Sequence, residues 1–134
     1  MMDKSEEQPA KSIEEVIAED GRYRVEAFGF LHEGLSRAVK DVYEDTEGPG
    51  HHVTGQQLCG ALRNLAMERY GLMAPAVLRS WGVRESIDFG NMVYLLIEHG
   101  MMRKTEEDTV EDFRDVFHLE TDFDTSGSIR MKKE

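Results

Sequence analysis

The residues with the sharpest chemical spacing are Asp122-Phe123-Asp124-Thr125-Ser126-Gly127-Ser128-Ile129. Acids at the first and third positions, an oxygen at the fifth, Gly at the sixth and Ile at the eighth follow the opening of a calcium-binding loop. The twelfth position, which must supply a bidentate Glu, is Lys133. Without that ligand the loop lacks two coordinating oxygens and much of its charge, so calcium binding is not expected. His51-His52 and Cys59 offer imidazole and thiolate, both good zinc ligands, but a single cysteine at this spacing matches no common zinc pattern. His32-Glu33 lacks the second His, four residues on, that a zinc-protease helix requires. No metal and no other cofactor is expected.

Catalytic patterns are equally sparse. The sequence contains no nucleophile elbow, phosphate-cradling glycine loop or dinucleotide fingerprint. Cys59 stands beside Leu58 and Leu62 on a predicted helix, the setting of a buried, inert thiol. Carboxylates abound, yet acid–base catalysis needs a pair held in different environments, and no spacing here marks one. No catalytic residue is assigned, and a small enzyme with an unrecognised carboxylate site ranks third among the functions considered.

The charge is lopsided. The 134 residues carry a net −11, and −8 of it falls between positions 105 and 124, where nine acids face the lone Arg114. Such a stretch repels phosphate backbones and anionic membranes, and it suits solubility or a basic partner. No apolar run approaches the roughly 20 residues of a membrane helix. The opening MMDKSEEQPAKS has no apolar signal-peptide core, and one cysteine cannot form an internal disulfide. These features point to a cytoplasmic protein without a membrane partner.

The elements that would position these residues are mainly helical. Ser12 and Glu15 form a capping box opening a helix over 13–19, closed by Asp20-Gly21. Val25, Phe28, Leu31, Leu35, Val39 and Val42 recur every three or four residues, predicting a helix over 23–43. Gly29 and Gly34 either weaken it or mark a close neighbour. After the break at 47–52, Thr54 and Gln57 cap a third helix that Gly71 ends. Pro75 suits the first turn of a short fourth helix reaching Trp81, with Gly82 as its left-handed terminus. Ser86 is the expected N-cap of a fifth helix, apolar nearly all round from Phe89 to Ile97 and stopped by Gly100. Beyond it, 101–105 reads as a short strand and 112–119 as a second strand or a helical turn.

The order helix, Trp-Gly turn, buried helix, two-armed acidic segment over 76–117 is that of a winged helix-turn-helix. The predicted fold is therefore mainly α: residues 12–120 form a single compact helical domain with a winged-helix-like C-terminal half and room for a two-stranded wing, between flexible tails at 1–11 and 121–134. A nucleic-acid role fits the order but not the charge. The helix over 86–99 has no Lys or Arg, and the candidate wing carries Glu106, Glu107, Asp108, Glu111 and Asp112. Protein docking ranks first, through Trp81 and Arg84 at the turn with Asp108, Asp112 and Phe113 on the acidic arm. Against that stands the ordinary fate of large aromatics, which is burial.

Several short motifs occur in one order: Arg22-Tyr23, Ala27-Phe28 with Phe30, His52 through Leu58, Met73-Ala74, Val77-Leu78, Trp81-Gly82-Val83, Asp88-Phe89-Gly90, and Lys104-Thr105-Glu106 through Glu111-Asp112-Phe113. Together they resemble an uncharacterised family of small bacterial proteins of planctomycete and verrucomicrobial type, over roughly 22–123. The chain departs from that family at His118 and Leu119, where an acidic residue and an aromatic are usual. The resemblance implies a compact single domain and brings no activity, ligand or catalytic residue. The function expected is a non-catalytic cytosolic protein-interaction or regulatory module, with a nucleic-acid-associated winged-helix-like regulator as the alternative.

Overall fold

The structure, a computed structural model, describes residues 11–45, 53–102, 110–119, 121 and 123. Its helices are α1 (Ile13–Asp20), α2 (Val25–Asp45), α3 (Gly55–Tyr70), α4 (Ala74–Ser80) and α5 (Ser86–Glu98), with 3-10 turns at Gly71–Met73 and Val110–Phe113. None of the helices is long and apolar enough to cross a membrane.

The local signals set most of the boundaries. Ser12 Oγ accepts the Glu15 N–H at 3.1 Å while Glu15 accepts the Ser12 N–H at 2.9 Å, and Gly21 closes α1 at φ 79°. Thr54 and Gln57 cap α3 in the same reciprocal way. The α2 stripe is rotated from the expected one. Ala27, Phe28, Phe30, Leu31 and Ala38 are buried, whereas Val25 is 50% exposed. The physical reason is Gly34, which packs so closely on Leu62 of α3 that its side of α2 becomes the inner one.

At α5 the expected cap is displaced by one residue. Glu85 is the N-cap, and Ser86, the buried polar residue of the core, lies inside the first turn. Its hydroxyl is engaged elsewhere: it donates to the Phe113 carbonyl at 2.5 Å and accepts the Val116 N–H at 2.9 Å. Asp88 meanwhile accepts the N–H groups of Arg84 and Glu85 at 2.8 and 2.9 Å, satisfying the free donors ahead of the helix.

The C-terminal arm is the part that sequence periodicity left open. No strand forms among the described residues; Glu85 and His118 make a single antiparallel bridge. Met101 and Met102 form a bend, residues 103–109 lie outside the described residues, and of the two readings of 112–119, a second strand or a helical turn, the helical one is found, as a 3-10 turn at Val110–Phe113 followed by irregular chain. The arm is nonetheless core. Phe113, Phe117, Leu119 and Phe123 are all buried, Phe123 at 1% exposure, so the domain extends past the expected limit at 120. A continuous aromatic path runs through it, with ring centroids 6.3 Å apart for Phe30–Phe89, 6.1 Å for Phe89–Phe117 and 5.5 Å for Phe117–Phe123.

Phe113 is held by two glycines. A Cβ on Gly90 of α5 would lie 2.8 Å from Phe113 Cγ, and one on Gly55 of α3 would lie 3.0 Å from its ring. The ring thus fills a slot that only two missing side chains leave open. Gly90→Ala gains helix propensity of about 1 kcal/mol, yet it should lower stability by roughly 2 kcal/mol through overpacking of Phe113. Urea unfolding checks this: a raised midpoint would show that Phe113 does not occupy the slot.

Candidate functional site

The turn between α4 and α5 is rigid because three segments meet on it. Gly82 (φ 95°) and Val83 donate back to the Arg79 and Leu78 carbonyls at 2.9 Å. The Trp81 carbonyl accepts the Arg24 N–H at 3.0 Å, and Gly82 abuts the Arg22 carbonyl, where a side chain would not fit. Between these contacts Tyr23 reaches inward: its hydroxyl donates to Asp88 at 2.6 Å and accepts from Asn91 at 3.2 Å. Asp88 therefore accepts from Tyr23, Arg84 and Glu85 at once, which makes it a fastening carboxylate for the turn.

Of the five residues expected to meet a partner, the four that are described do not share one surface. Trp81 is half-buried, its ring 5.4 Å from Phe30 and 6.1 Å from Tyr70. Phe113 is buried between Gly55 and Gly90, so its expected role as an exposed anchor is corrected to a core role. Asp112 is half-buried with its Cβ against Gly55. Asp108 lies outside the described residues. Arg84 is exposed on the rim of a cavity of about 300 Å³ that also involves Arg79, Glu85, Asp115 and His118 over Phe117 and Leu119. His118 stands 3.7 Å from Asp115, itself at φ 56°.

Cys59 is fully buried, and burial pushes its thiol up to about 12, out of range for a nucleophile or an easy metal ligand at neutral pH. His51, His52 and, from the calcium-like stretch, residues 122 and 124–129 lie outside the described residues. No group of three or more His, Cys, Asp or Glu converges among the described residues to hold a metal ion. The carboxylates with resolved shifts, Asp20, Glu33 and Glu111, are all held below their usual range, each by a hydrogen bond from an arginine. A general acid needs the opposite shift.

Sequence reasoning missed an apolar groove. The groove, of about 370 Å³, is lined by α1 and α2 together with Leu96, Met101 and Met102. α1 contributes Ile13 and Ile17 to the lining and α2 contributes Phe28, Gly29, Leu31 and Leu35, with His32 as its polar group. Ile13 and Val25 stand exposed on it at 38% and 50%. The available signal was Val25, which fits the apolar stripe of α2 but lies one turn outside its buried part. Comparisons with protein-family models, curated proteins and solved structures gave no match. The chemistry of these surfaces is therefore the ground for a functional reading.

Burial of the two weak acids sets an alkaline limit. Tyr23 is raised to about 12, first by burial and then by its bond to Asp88, and Cys59 is raised to about 12 by burial. Unfolded, they ionise near 10 and 9. The unfolded chain thus loses these protons first, so their contribution is complete below about pH 9 and is lost as pH rises toward 12. Urea titrations at about pH 8 and pH 11 should show falling stability, with a smaller fall in Tyr23→Phe than in the wild type. A thiol reagent at about pH 8 should modify Cys59 only on unfolding; rapid native labelling would contradict its burial.

Proposed function

We propose that this protein is a non-catalytic cytosolic interaction or regulatory module, and that the groove between α1 and α2 receives apolar side chains of a protein partner. The observation that carries this reading is an open apolar groove with exposed Ile13 and Val25 on its edge, on a chain whose net charge is −11. Exposed apolar surface costs solubility unless a partner covers it, and a single concave apolar feature with one polar group is the usual form of a binding site. The pairing of α4 and α5 with the docked arm is read, within the same proposal, as a winged-helix-like scaffold reused for protein docking. The resemblance to the planctomycete and verrucomicrobial family belongs to this proposal too.

One observation favours the alternative of a nucleic-acid-associated regulator. Arg79 and Arg84 share the rim of the polar cavity, and among the described residues no carboxylate forms an ion pair with either. Two arginines are few against phosphate, however, and α5, the helix that would read bases, buries Phe89, Met92, Val93, Leu95 and Leu96. Carboxylate catalysis ranks below both, since each resolved carboxylate shift is a lowering caused by a hydrogen bond from an arginine.

Val25→Glu separates these readings. It places a charge on the groove edge at an exposed helix position, so the fold should persist while partner recovery drops at least about tenfold. Quantitative affinity purification of both forms from the native host measures the ratio. Equal recovery of every protein by the two forms would remove the groove from the function, and salt-sensitive retention of the wild type on DNA would favour the alternative.

A further inference from the structure

Arg79 and Arg84 differ from the other described arginines. Arg22 is bonded to Asp20, Arg37 to Glu68, Arg63 to Asn64, Arg69 to Glu33 and Arg114 to Glu111, and Arg24 forms an ion pair with Glu26. Among the described residues the side chains of Arg79 and Arg84 have no such partner. An exposed arginine is easily left in water, so exposure alone decides nothing. What points to a ligand is that both unpaired guanidiniums line the same cavity, of about 300 Å³.

The cavity also holds negative charge. Glu85 and Asp115 belong to its lining, yet among the described residues neither forms an ion pair with Arg79 or Arg84. Asp115 stands 3.7 Å from His118, another lining residue. Arg114, which feels the charge of both carboxylates, is itself held by Glu111 through bonds at 2.6 and 3.0 Å. Asp115 has a left-handed backbone (φ 56°), and the Ser86 hydroxyl fixes that turn by bonding the Phe113 carbonyl before it and the Val116 N–H after it. Two buried side chains, Phe117 and Leu119, supply apolar lining.

Simple ions fit this lining poorly. An oxyanion that suits the arginines is repelled by Glu85 and Asp115, and a cation that suits the carboxylates is repelled by the arginines. A nucleotide adds several negative charges, and ligand cavities run from roughly 300 to 1,000 Å³, so this one takes a small molecule. A zwitterion with an apolar body meets a counter-charge for each of its charges and apolar surface for the rest. We infer that the cavity binds a free α-amino acid with an apolar side chain, its carboxylate held by Arg79 and Arg84, its ammonium by Glu85 and Asp115, and its side chain against Phe117 and Leu119. The inference goes beyond the interaction role and makes no use of the groove.

The test titrates the full chain with L-phenylalanine and follows amide chemical shifts by NMR. The shifts should gather at Arg84, Glu85, Asp115 and His118, with a dissociation constant of roughly 1 mM or tighter. Hydrocinnamate, which lacks the amine, and phenethylamine, which lacks the carboxylate, should each bind at least about tenfold more weakly. Glycine, with both charges and no side chain, should also bind more weakly. Arg84→Gln and Asp115→Asn should each cost at least about tenfold in affinity for L-phenylalanine, Asn being tolerated in the left-handed backbone at 115. Arg37→Gln, at an arginine paired elsewhere, should leave the affinity unchanged.

Hydrocinnamate binding as tightly as L-phenylalanine would overturn the inference in favour of a plain anion site, and phenethylamine doing so in favour of a cation site. Equal binding by glycine would overturn the assignment of an apolar side chain. No localised shift at about 10 mM L-phenylalanine, or undiminished binding by Asp115→Asn, would overturn the site itself. None of these outcomes bears on the groove, whose own test is partner recovery by Val25→Glu.

Discussion

The fold depends on the seating of Phe113 between α3 and α5. Gly55 and Gly90 leave the slot, and Ser86 locks the backbone that follows the ring by bonding the Phe113 carbonyl and the Val116 N–H. A buried hydroxyl that both donates and accepts satisfies two backbone groups that no regular element would otherwise pair. Once that anchor is set, Phe117, Leu119 and Phe123 complete the apolar core, and Glu85 and His118 form their bridge. An irregular arm is thereby built into the centre of a helical domain.

The same arrangement divides the molecule by chemical task. On the arm's side, the inner polar groups are fasteners: Tyr23, Asp88 and Asn91 hold the α4–α5 turn, and Ser86 holds the arm. On the α1–α2 side, apolar groups stay open, with a glycine and two methionines lining the groove. Rigid polar fastening of one half and an unfilled apolar groove in the other are what a docking scaffold requires. A site for covalent chemistry would need the reverse, with reactive groups converging in a cavity.

The helices were largely legible in the sequence because their signals are local. Ser12 with Glu15, Thr54 with Gln57, Gly21, Gly71 and Gly82 each act within one turn of chain, and each lies at the boundary it marks. What escaped is long-range. Ser86 has the right chemistry for an N-cap, but its partners are 27 and 30 residues away, and Glu85 takes the cap. Phe113, Val116, Phe117 and Leu119 fit no period because each is placed by its own contact rather than by a shared helix or strand. Phe113 accordingly read as an exposed anchor, and Phe123 as part of a tail, although both are core. The groove escaped because α2 carries more apolar residues than its buried face uses, and periodicity does not say which edge stays open.

The seating of the arm on α5 is tested most directly by native-state hydrogen exchange at the Val116 amide. Its N–H belongs to no helix or strand and is bonded only through Ser86 Oγ at 2.9 Å. If the arm is part of the core, this amide exchanges only with global unfolding, at the same opening free energy as the amides of Met92 and Leu96 in α5. Exchange at the rate of an open loop, while those α5 amides stay protected, would contradict the account.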